Sequence, residues 1–304
     1  MTAWSIVLHG GASAVAPERQ RAVIDGCNVA MEEGVRVLAG QGDPVDAVVA
    51  VVRALERDPV FNAGEGAVRG ADGRRQTDAA VMDGTTLDIG AVAAVPECTA
   101  PVALAHRLLR QETIMIAGPS ASALAQSDSS APATGSVQAA SAASGACDTV
   151  GCVAWKAGHV AVATATGGLQ GKPAGRVGDA PLPGCGFYAN SRFGGVVISG
   201  DGERIARVLL AARVMELLRN GGGPMTAAER GLECLAYVGG EAGIVVLDAV
   251  GKAGCAYNSA HFPVAFADGQ GTRWVSLAPA QPHGARVRIP TLSELRAVQG
   301  AHAS

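Results

Sequence analysis

The segment SGACDTVGCVAW, residues 144–155, joins two stretches of opposite character. Residues 128–148 are rich in Ser, Ala and Gly, so they bury too little apolar surface to offset the entropy lost on ordering. We predict that they form a mobile linker. The run VGCVAW that follows is apolar and β-branched, which predicts a buried strand. Asp148 and Thr149 lie at the junction, with no turn residues between the two stretches.

Thr149 is open to two interpretations. It is an ordinary first residue of a strand, or the Asp148–Thr149 peptide bond is cut and Thr149 becomes a new N-terminus. In the second case, one residue carries both a hydroxyl nucleophile and a free α-amine. Because an α-amine has a pKa of about 8, its neutral form can accept the hydroxyl proton near neutral pH.

Composition excludes several kinds of protein. The 304-residue chain is 48% hydrophobic and 17% charged, with a net charge of −3, which is typical of a globular protein that does not bind nucleic acid. It has no run of about 18 apolar residues, so we expect no membrane partner. The first residues, MTAWSIVLHGGAS, lack the basic segment of a signal peptide, and we expect a cytoplasmic protein.

The cysteines and histidines predict neither a disulfide framework nor a zinc site. Seven cysteines are an odd number, and no two have the CxxC spacing. The six histidines contain no HExxH motif. Cys147 and Cys152 lack a partner His pattern, so a cysteine hydrolase is disfavoured. We expect no cofactor in catalysis.

Hydrophobic periodicity predicts strands flanked by groups of helices. The predicted helices are 17–39, a helix that begins at Pro44 after the N-cap Asp43, and a single helix within 200–222. The predicted hairpins include 149–168 and, as the last one, 242–258. Hairpins rather than regular βαβ units favour an α/β sandwich with antiparallel sheets.

Seven segments are specific in combination. They are HGGA (9–12), LERDPVFNAGEGAV (55–68), TDAAVMDGTTLDIGAVA (77–93), DTVGCVA (148–154), TATGG (164–168), GRVGDAPLPGCGFYAN (175–190) and GDGE (200–203). With these segments the chain resembles the plant-type L-asparaginase and isoaspartyl peptidase family of N-terminal-nucleophile (Ntn) hydrolases. The resemblance implies one domain over 1–304, folded as a four-layer αββα sandwich. It also implies self-cleavage into an α subunit, 1–148, and a β subunit, 149–304, with two αβ units forming a heterotetramer.

The resemblance implies the catalytic roles. Thr149 is expected to be the nucleophile, and Thr166 to hydrogen-bond to it and orient its hydroxyl. Ser199 and Gly200 are expected to stabilise the oxyanion, through a hydroxyl and a backbone N–H. Many family members have Gly before the nucleophile, whereas Asp148 resembles the glycosylasparaginases. We hypothesise that the Asp148 carboxylate assists the acyl shift of self-cleavage.

The substrate side of the site follows from the same resemblance. An aspartyl substrate carries an α-carboxylate, which Arg176 is expected to grip, and an α-ammonium, which Asp179 is expected to pair with. Gly202 and Asn62 are also expected at the substrate. Asp201 departs from the family, and it either favours a basic leaving residue or faces solvent or caps the next helix.

A cation site is implied as well. The loop 55–65 resembles a segment that holds sodium through backbone carbonyls. The implied ligands are the carbonyl oxygens of Leu55, Glu56, Asp58, Phe61, Ala63 and Glu65. The segment NSAH (258–261) is the least similar to the family, and His261 is expected to be a pocket-wall or surface residue.

The sequence therefore predicts a self-cleaving isoaspartyl peptidase with L-asparaginase activity. It would hydrolyse L-Asn or β-aspartyl dipeptides through a β-aspartyl ester of Thr149. Two alternatives stay open. A glycosylasparaginase-like amidase is suggested by Asp148 and MDGTT (82–86), although the lack of a signal peptide argues against it. A non-catalytic, uncut homologue that binds aspartyl ligands is suggested by the altered segments SGDGE (199–203) and NSAH.

Overall fold

A computed structural model describes residues 3–126 and 149–277. The helices are α1 (Pro17–Ala39), α2 (Pro44–Arg57), α3 (Pro101–Leu108), α4 (Pro119–Gln126), α5 (Gly202–Val208), α6 (Leu210–Arg219) and α7 (Pro224–Leu235). The strands are β1 (Trp4–His9), β2 (Gln76–Asp83), β3 (Ile89–Pro96), β4 (Met115–Ala117), β5 (Val150–Lys156), β6 (His159–Thr166), β7 (Phe187–Asn190), β8 (Gly194–Gly200), β9 (Ala242–Asp248), β10 (Ala253–Tyr257), β11 (Val264–Asp268) and β12 (Arg273–Ser276). The predicted linker 128–148, with Asp148, lies outside the described residues.

Two sheets stack face to face between two layers of helices. The larger sheet has the strand order β12-β11-β1-β5-β6-β2-β3-β4, and the smaller has the order β10-β9-β8-β7. One buried cluster packs α1, α2 and α3 on the large sheet, and another packs α6 and α7 on the small sheet. A third cluster, which includes Val153, Val162 and Phe187, lies between the sheets. The layers follow the order αββα, which confirms the predicted sandwich.

Local sequence explains where several elements begin. The Asp43 carboxylate accepts a hydrogen bond from the N–H of Asp46 at 2.9 Å, and Pro44 occupies the first helical position, as predicted for α2. The sheets approach closely at Gly195, where an added Cβ would lie 2.8 Å from a methyl of Val160. Only glycine fits at that contact without displacing its neighbour.

The predicted helix within 200–222 is two helices. Leu209 has a φ of 52°, which ends α5 and begins α6 in a new direction. The break leaves the first N–H groups of α6 free to bind another segment: Ala211 and Ala212 donate to the carbonyls of Cys185 and Gly184. Tertiary hydrogen bonds therefore decide an interruption that helical periodicity does not show.

Two further features differ from the prediction. The hairpin 242–258 is present as β9 and β10, but a later hairpin, β11–β12, follows it and pairs with β1. One βαβ unit also occurs, because β3 and β4 are parallel and α3 connects them. Among the described residues, no helix has the length and apolar character that crossing a membrane requires.

Candidate active site

The register of β5 and β6 brings the two predicted threonines together. Val150 pairs with Ala165, so extending the antiparallel ladder by one residue places Thr149 opposite Thr166. Both threonines are buried, with 4% and 3% of their surface exposed. Directly opposite residues have Cβ atoms about 5 Å apart and share one face of the sheet. Thr166 is therefore within reach of the Thr149 hydroxyl.

A tight turn after Thr166 is held by Asn62. The N–H of Gly168 donates to Thr166 Oγ1 at 2.9 Å, and Gly168 has a φ of +71°, which favours glycine. Asn62 Nδ2 donates to the carbonyl of Gly168 at 2.7 Å, while its Oδ1 accepts from Val68. A Cβ on Gly167 would lie 2.3 Å from Asn62 Oδ1. Asn62 thus supports the turn, and its predicted contact with substrate stays a prediction.

Arg176 makes two parallel hydrogen bonds to Glu203. Nε and Nη2 donate to the two carboxylate oxygens at 2.8 Å each. The guanidinium holds the pKa of Glu203 below its usual range, chiefly through these bonds. Sequence analysis did not anticipate this partner, although Glu203 belongs to the GDGE segment. The pair fixes the guanidinium plane and leaves Nη1 on its other side, 3.3 Å from a Cβ built on Gly168.

Gly202 lies between Asp179 and Arg176, the two residues predicted to form the clamp. A Cβ added there would be 2.9 Å from Asp179 Oδ1 and 3.2 Å from Arg176 Nη2. Asp179 is buried, and the carbonyl of the same residue accepts the N–H groups of Leu182 and Gly186. The missing side chain at Gly202 keeps open the space where one ligand could meet both a carboxylate and a guanidinium.

Ser199 is oriented by the HGGA segment. Its Oγ accepts a hydrogen bond from the N–H of Ala12 at 2.9 Å, in a fully buried position. A hydroxyl that accepts in this way still has its own proton to donate. Gly200 follows with a φ of 146°, and a Cβ there would lie 2.1 Å from the carbonyl oxygen of Glu241. Only glycine fits at this point of the strand end.

His9 lies beside these groups and was not among the predicted site residues. It pairs with Gly151, and its Nε2 is 2.6 Å from where a Cβ on Gly151 would be. The centroid of its ring lies 5.3 Å from the centroid of the Phe262 ring. Burial lowers the pKa of His9 to about 3, against an opposing contribution from the backbone of Thr149. The imidazole is therefore neutral at pH 7. The HGGA segment was the signal that could have drawn attention to it.

Asp201 and His261 both make defined contacts with the backbone of other segments. Asp201 Oδ2 accepts the N–H of Glu241 at 2.9 Å, and no side-chain bond caps α5. This contact fastens the loop before β9. Asp201 is exposed, as one alternative predicted, and occupies the N-cap position of α5 without a side-chain cap bond. A role toward the leaving group stays a prediction. His261 Nδ1 accepts the N–H of Val15 at 3.1 Å, so His261 holds the loop after HGGA.

The loop 55–65 offers backbone carbonyls that are already partly used. The carbonyls of Leu55, Asp58, Phe61 and Ala63 accept N–H groups within the loop or just after it. The Glu65 carbonyl accepts from the Arg75 guanidinium at 3.0 Å. Each carbonyl has a second lone pair, so the donor chemistry fits sodium, least well at Glu65, where a cation is already present. Within the described ranges, no cluster of His, Cys, Asp and Glu side chains could hold a metal ion.

Comparison with known proteins gives consistent matches. The family described as "Asparaginase" matches residues 2–139 and 127–277. The chain is 37% identical over 268 residues to an isoaspartyl peptidase/L-asparaginase of Danio rerio, covering 80% of this chain and 85% of that one. It is 37% identical over 288 residues to an isoaspartyl peptidase of Salmonella typhimurium, covering 84% and 92%. It is also 37% identical over 281 residues to a plant-type L-asparaginase of Pyrobaculum calidifontis, covering 84% and 94%.

Proposed function

The chain belongs to the asparaginase family, and from that membership we infer that it is an isoaspartyl peptidase with L-asparaginase activity. The observation that carries the inference is the placement of Thr149 opposite Thr166, at a turn whose Gly168 lies against Arg176. A threonine nucleophile and a clamp for an amino acid's charged groups are then parts of one site. The substrates are small molecules, L-Asn or β-aspartyl dipeptides.

We propose a two-step mechanism for Thr149 as an N-terminal residue. Its α-amine takes the hydroxyl proton while Oγ1 attacks the side-chain carbonyl carbon of the substrate. The tetrahedral oxyanion is stabilised by the Ser199 hydroxyl and the Gly200 N–H. Collapse breaks the C–N bond, the ammonium of Thr149 gives its proton to the leaving ammonia or amino group, and a β-aspartyl ester remains. Water, deprotonated by the same amine, then hydrolyses the ester and releases aspartate.

Maturation is part of the proposal. Cleavage between Asp148 and Thr149 would give an α subunit, 1–148, and a β subunit, 149–304, in one Ntn-hydrolase domain. The place of Thr149 directly before β5 and opposite Thr166 supports this, because a cut there would put a hydroxyl and a free α-amine together in the candidate site. Two αβ units are proposed to pair as a heterotetramer in the cytoplasm. A structural sodium ion on the carbonyls of loop 55–65 completes the proposal.

The activity is tested with matured protein and three substrates. We expect release of ammonia from L-Asn and of leucine from β-Asp-Leu, each with aspartate as the second product. N-acetylglucosaminyl-asparagine serves as the comparison substrate, since preference for it would favour the glycosylasparaginase-like alternative. Matured protein that hydrolyses none of the three would contradict the proposed function and leave a binding protein.

Ser199→Ala is expected to lower kcat about a hundredfold, since one oxyanion donor contributes about 3 kcal/mol to transition-state stabilisation. KM should stay within about threefold, because the oxyanion forms only after binding. Steady-state kinetics with L-Asn measures both constants.

Ser259→Ala is the matched control for this variant. Ser259 is also buried, and its hydroxyl donates to the carbonyl of His261 at 2.9 Å. Equal losses of kcat in the two variants would argue that Ser199 acts only through packing.

A further inference from the structure

A third polar residue continues the row formed by the two threonines. Asp78 in β2 pairs directly with Thr166 in β6, so their side chains share one face of the sheet. Thr149 lies on the opposite side of Thr166 by the same argument. Thr149, Thr166 and Asp78 therefore stand side by side across β5, β6 and β2. The mechanism proposed above uses the first two and assigns nothing to Asp78.

The Asp78 carboxyl is buried and only half satisfied. Its exposed surface is 0%, and Oδ1 accepts the N–H of Ala94 at 2.6 Å. Oδ2 is buried without a hydrogen-bond partner among the described residues. The pairing of β2 with β3 shifts register between Thr77 and Ala79, at Asp78 itself. A buried carboxyl at an irregular point of a central strand is costly unless a cation compensates it.

Lys172 brings a buried cation to the same strand, two residues from Asp78, and lies against the turn after Thr166. It is 3% exposed, and Nζ donates to the carbonyl of Gln76 at 2.9 Å. A Cβ on Gly168 would lie 2.8 Å from the same Nζ, so the ammonium supports the turn from one side. Burial raises the pKa of Asp78, and the positive charge of Lys172 opposes that rise. Lys172 therefore contacts both β2, which carries Asp78, and the turn after Thr166.

We propose that Asp78 and Lys172 are positioning residues for the hydrolysis inferred above, and this inference rests on that function. They hold the Thr166–Gly168 turn from the side opposite Thr149, and through Thr166 they set the direction of the Thr149 hydroxyl. Removing the Lys172 ammonium leaves the Asp78 carboxyl buried without its lysine neighbour, and removing the carboxylate leaves the buried ammonium without Asp78. In either variant we expect the Thr166–Gly168 turn to shift. A displacement of about 1 Å at a reacting group can cost about a hundredfold in rate.

Lys172→Met tests the role, because methionine keeps an apolar stem and removes the ammonium. We expect a decrease in kcat of about ten- to a hundredfold, with KM changed by less than about threefold. Exchange of the Gly168 amide proton, measured by NMR, should become faster, because its bond to Thr166 Oγ1 loosens. This second readout does not depend on activity. If Lys172→Met keeps the thermal midpoint but stays uncut, that also supports the proposal, since Thr149 performs both reactions.

Lys156→Met is the matched control. The Lys156 ammonium also binds backbone carbonyls, those of Gly40 and Gly42, but far from the site along the strand that starts at Val150. It should lower stability and leave kcat unchanged. The double variant Asp78→Asn/Lys172→Met should lose less activity than the sum of the single losses, because neither charge is then left alone.

Three outcomes would overturn the inference. If Lys172→Met leaves both kcat and the exchange of the Gly168 amide proton unchanged, the lysine has only a structural role. A rise in KM alone would place its effect on the substrate clamp. Strictly additive losses in the double variant would mean that the two residues do not act together. If the unsubstituted protein itself is inactive, the proposed function fails, while the exchange measurement still tests the contact.

Discussion

Thr149→Ala will remain a single chain and will lose hydrolysis of L-Asn by at least about a thousandfold. The unsubstituted protein, kept at neutral pH, will instead show two fragments that meet at Asp148 and Thr149. The reason is chemical: alanine has no hydroxyl, so neither the acyl shift that cuts the chain nor the attack on substrate can occur. Intact-mass spectrometry and an ammonia-release assay measure the two effects on one preparation.

The control is Thr149→Ser, which keeps a hydroxyl and, after cleavage, an α-amine. It should be cut and should retain part of the activity, since serine lacks only the methyl that restricts the side-chain rotamer. Cleavage of Thr149→Ala at the same bond would show that an external protease makes the cut. Full hydrolysis by an uncut wild-type chain would show that the α-amine is not the base.

Arg176→Ala is expected to lower kcat/KM for L-Asn by about a hundred- to ten-thousandfold. Two charge-assisted hydrogen bonds to the substrate α-carboxylate are lost, and each contributes about 1.5–3 kcal/mol. Glu203 also loses the guanidinium that it binds through both oxygens, so it adds a repulsive charge near the site. Most of the loss should fall on KM, because the carboxylate is bound before and during the reaction.

A substrate without the α-carboxylate makes this test specific. 3-Aminopropanamide keeps the amide and the amine of L-Asn. Wild-type protein should hydrolyse it as poorly as the Arg176→Ala variant hydrolyses L-Asn. If Arg176 contacts the carboxylate, removing both partners costs little more than removing one. Arg219→Ala is the surface control, since Arg219 binds Glu216 at 2.8 Å in an exposed position. An additive double loss would contradict the assigned contact.

Local sequence accounts for much of the fold. The Asp43-Pro44 start of α2 and the hairpin of β5 and β6 follow from capping, turn and periodicity signals that act over a few residues, and the same signals favour an antiparallel α/β sandwich. The four-layer αββα order was implied by the family resemblance. The break at Leu209 and the β11–β12 hairpin do not follow from such local signals. The first depends on hydrogen bonds from α6 to the Gly184–Cys185 loop, which no helical pattern contains.

The candidate site also contains residues that the sequence identified and partners that only the fold brings to them. Motif residues identified Thr149, Thr166 and Arg176 as candidates. Their partners came from distant parts of the chain: Glu203 is 27 positions from Arg176, and Ala12 is 187 positions from Ser199. Which residues meet depends on strand register and on the stacking of two sheets.

The motifs of the sequence were enough to indicate a family, and the resemblance implied a nucleophile and a clamp. Only the tertiary structure placed Asp78 beside Thr166, Lys172 against Gly168, and Asn62 around the same turn. The physical reason is that a motif reports the chemistry of its own residues. The orientation of a hydroxyl and the compensation of a buried charge are set by groups that packing brings together from separate segments.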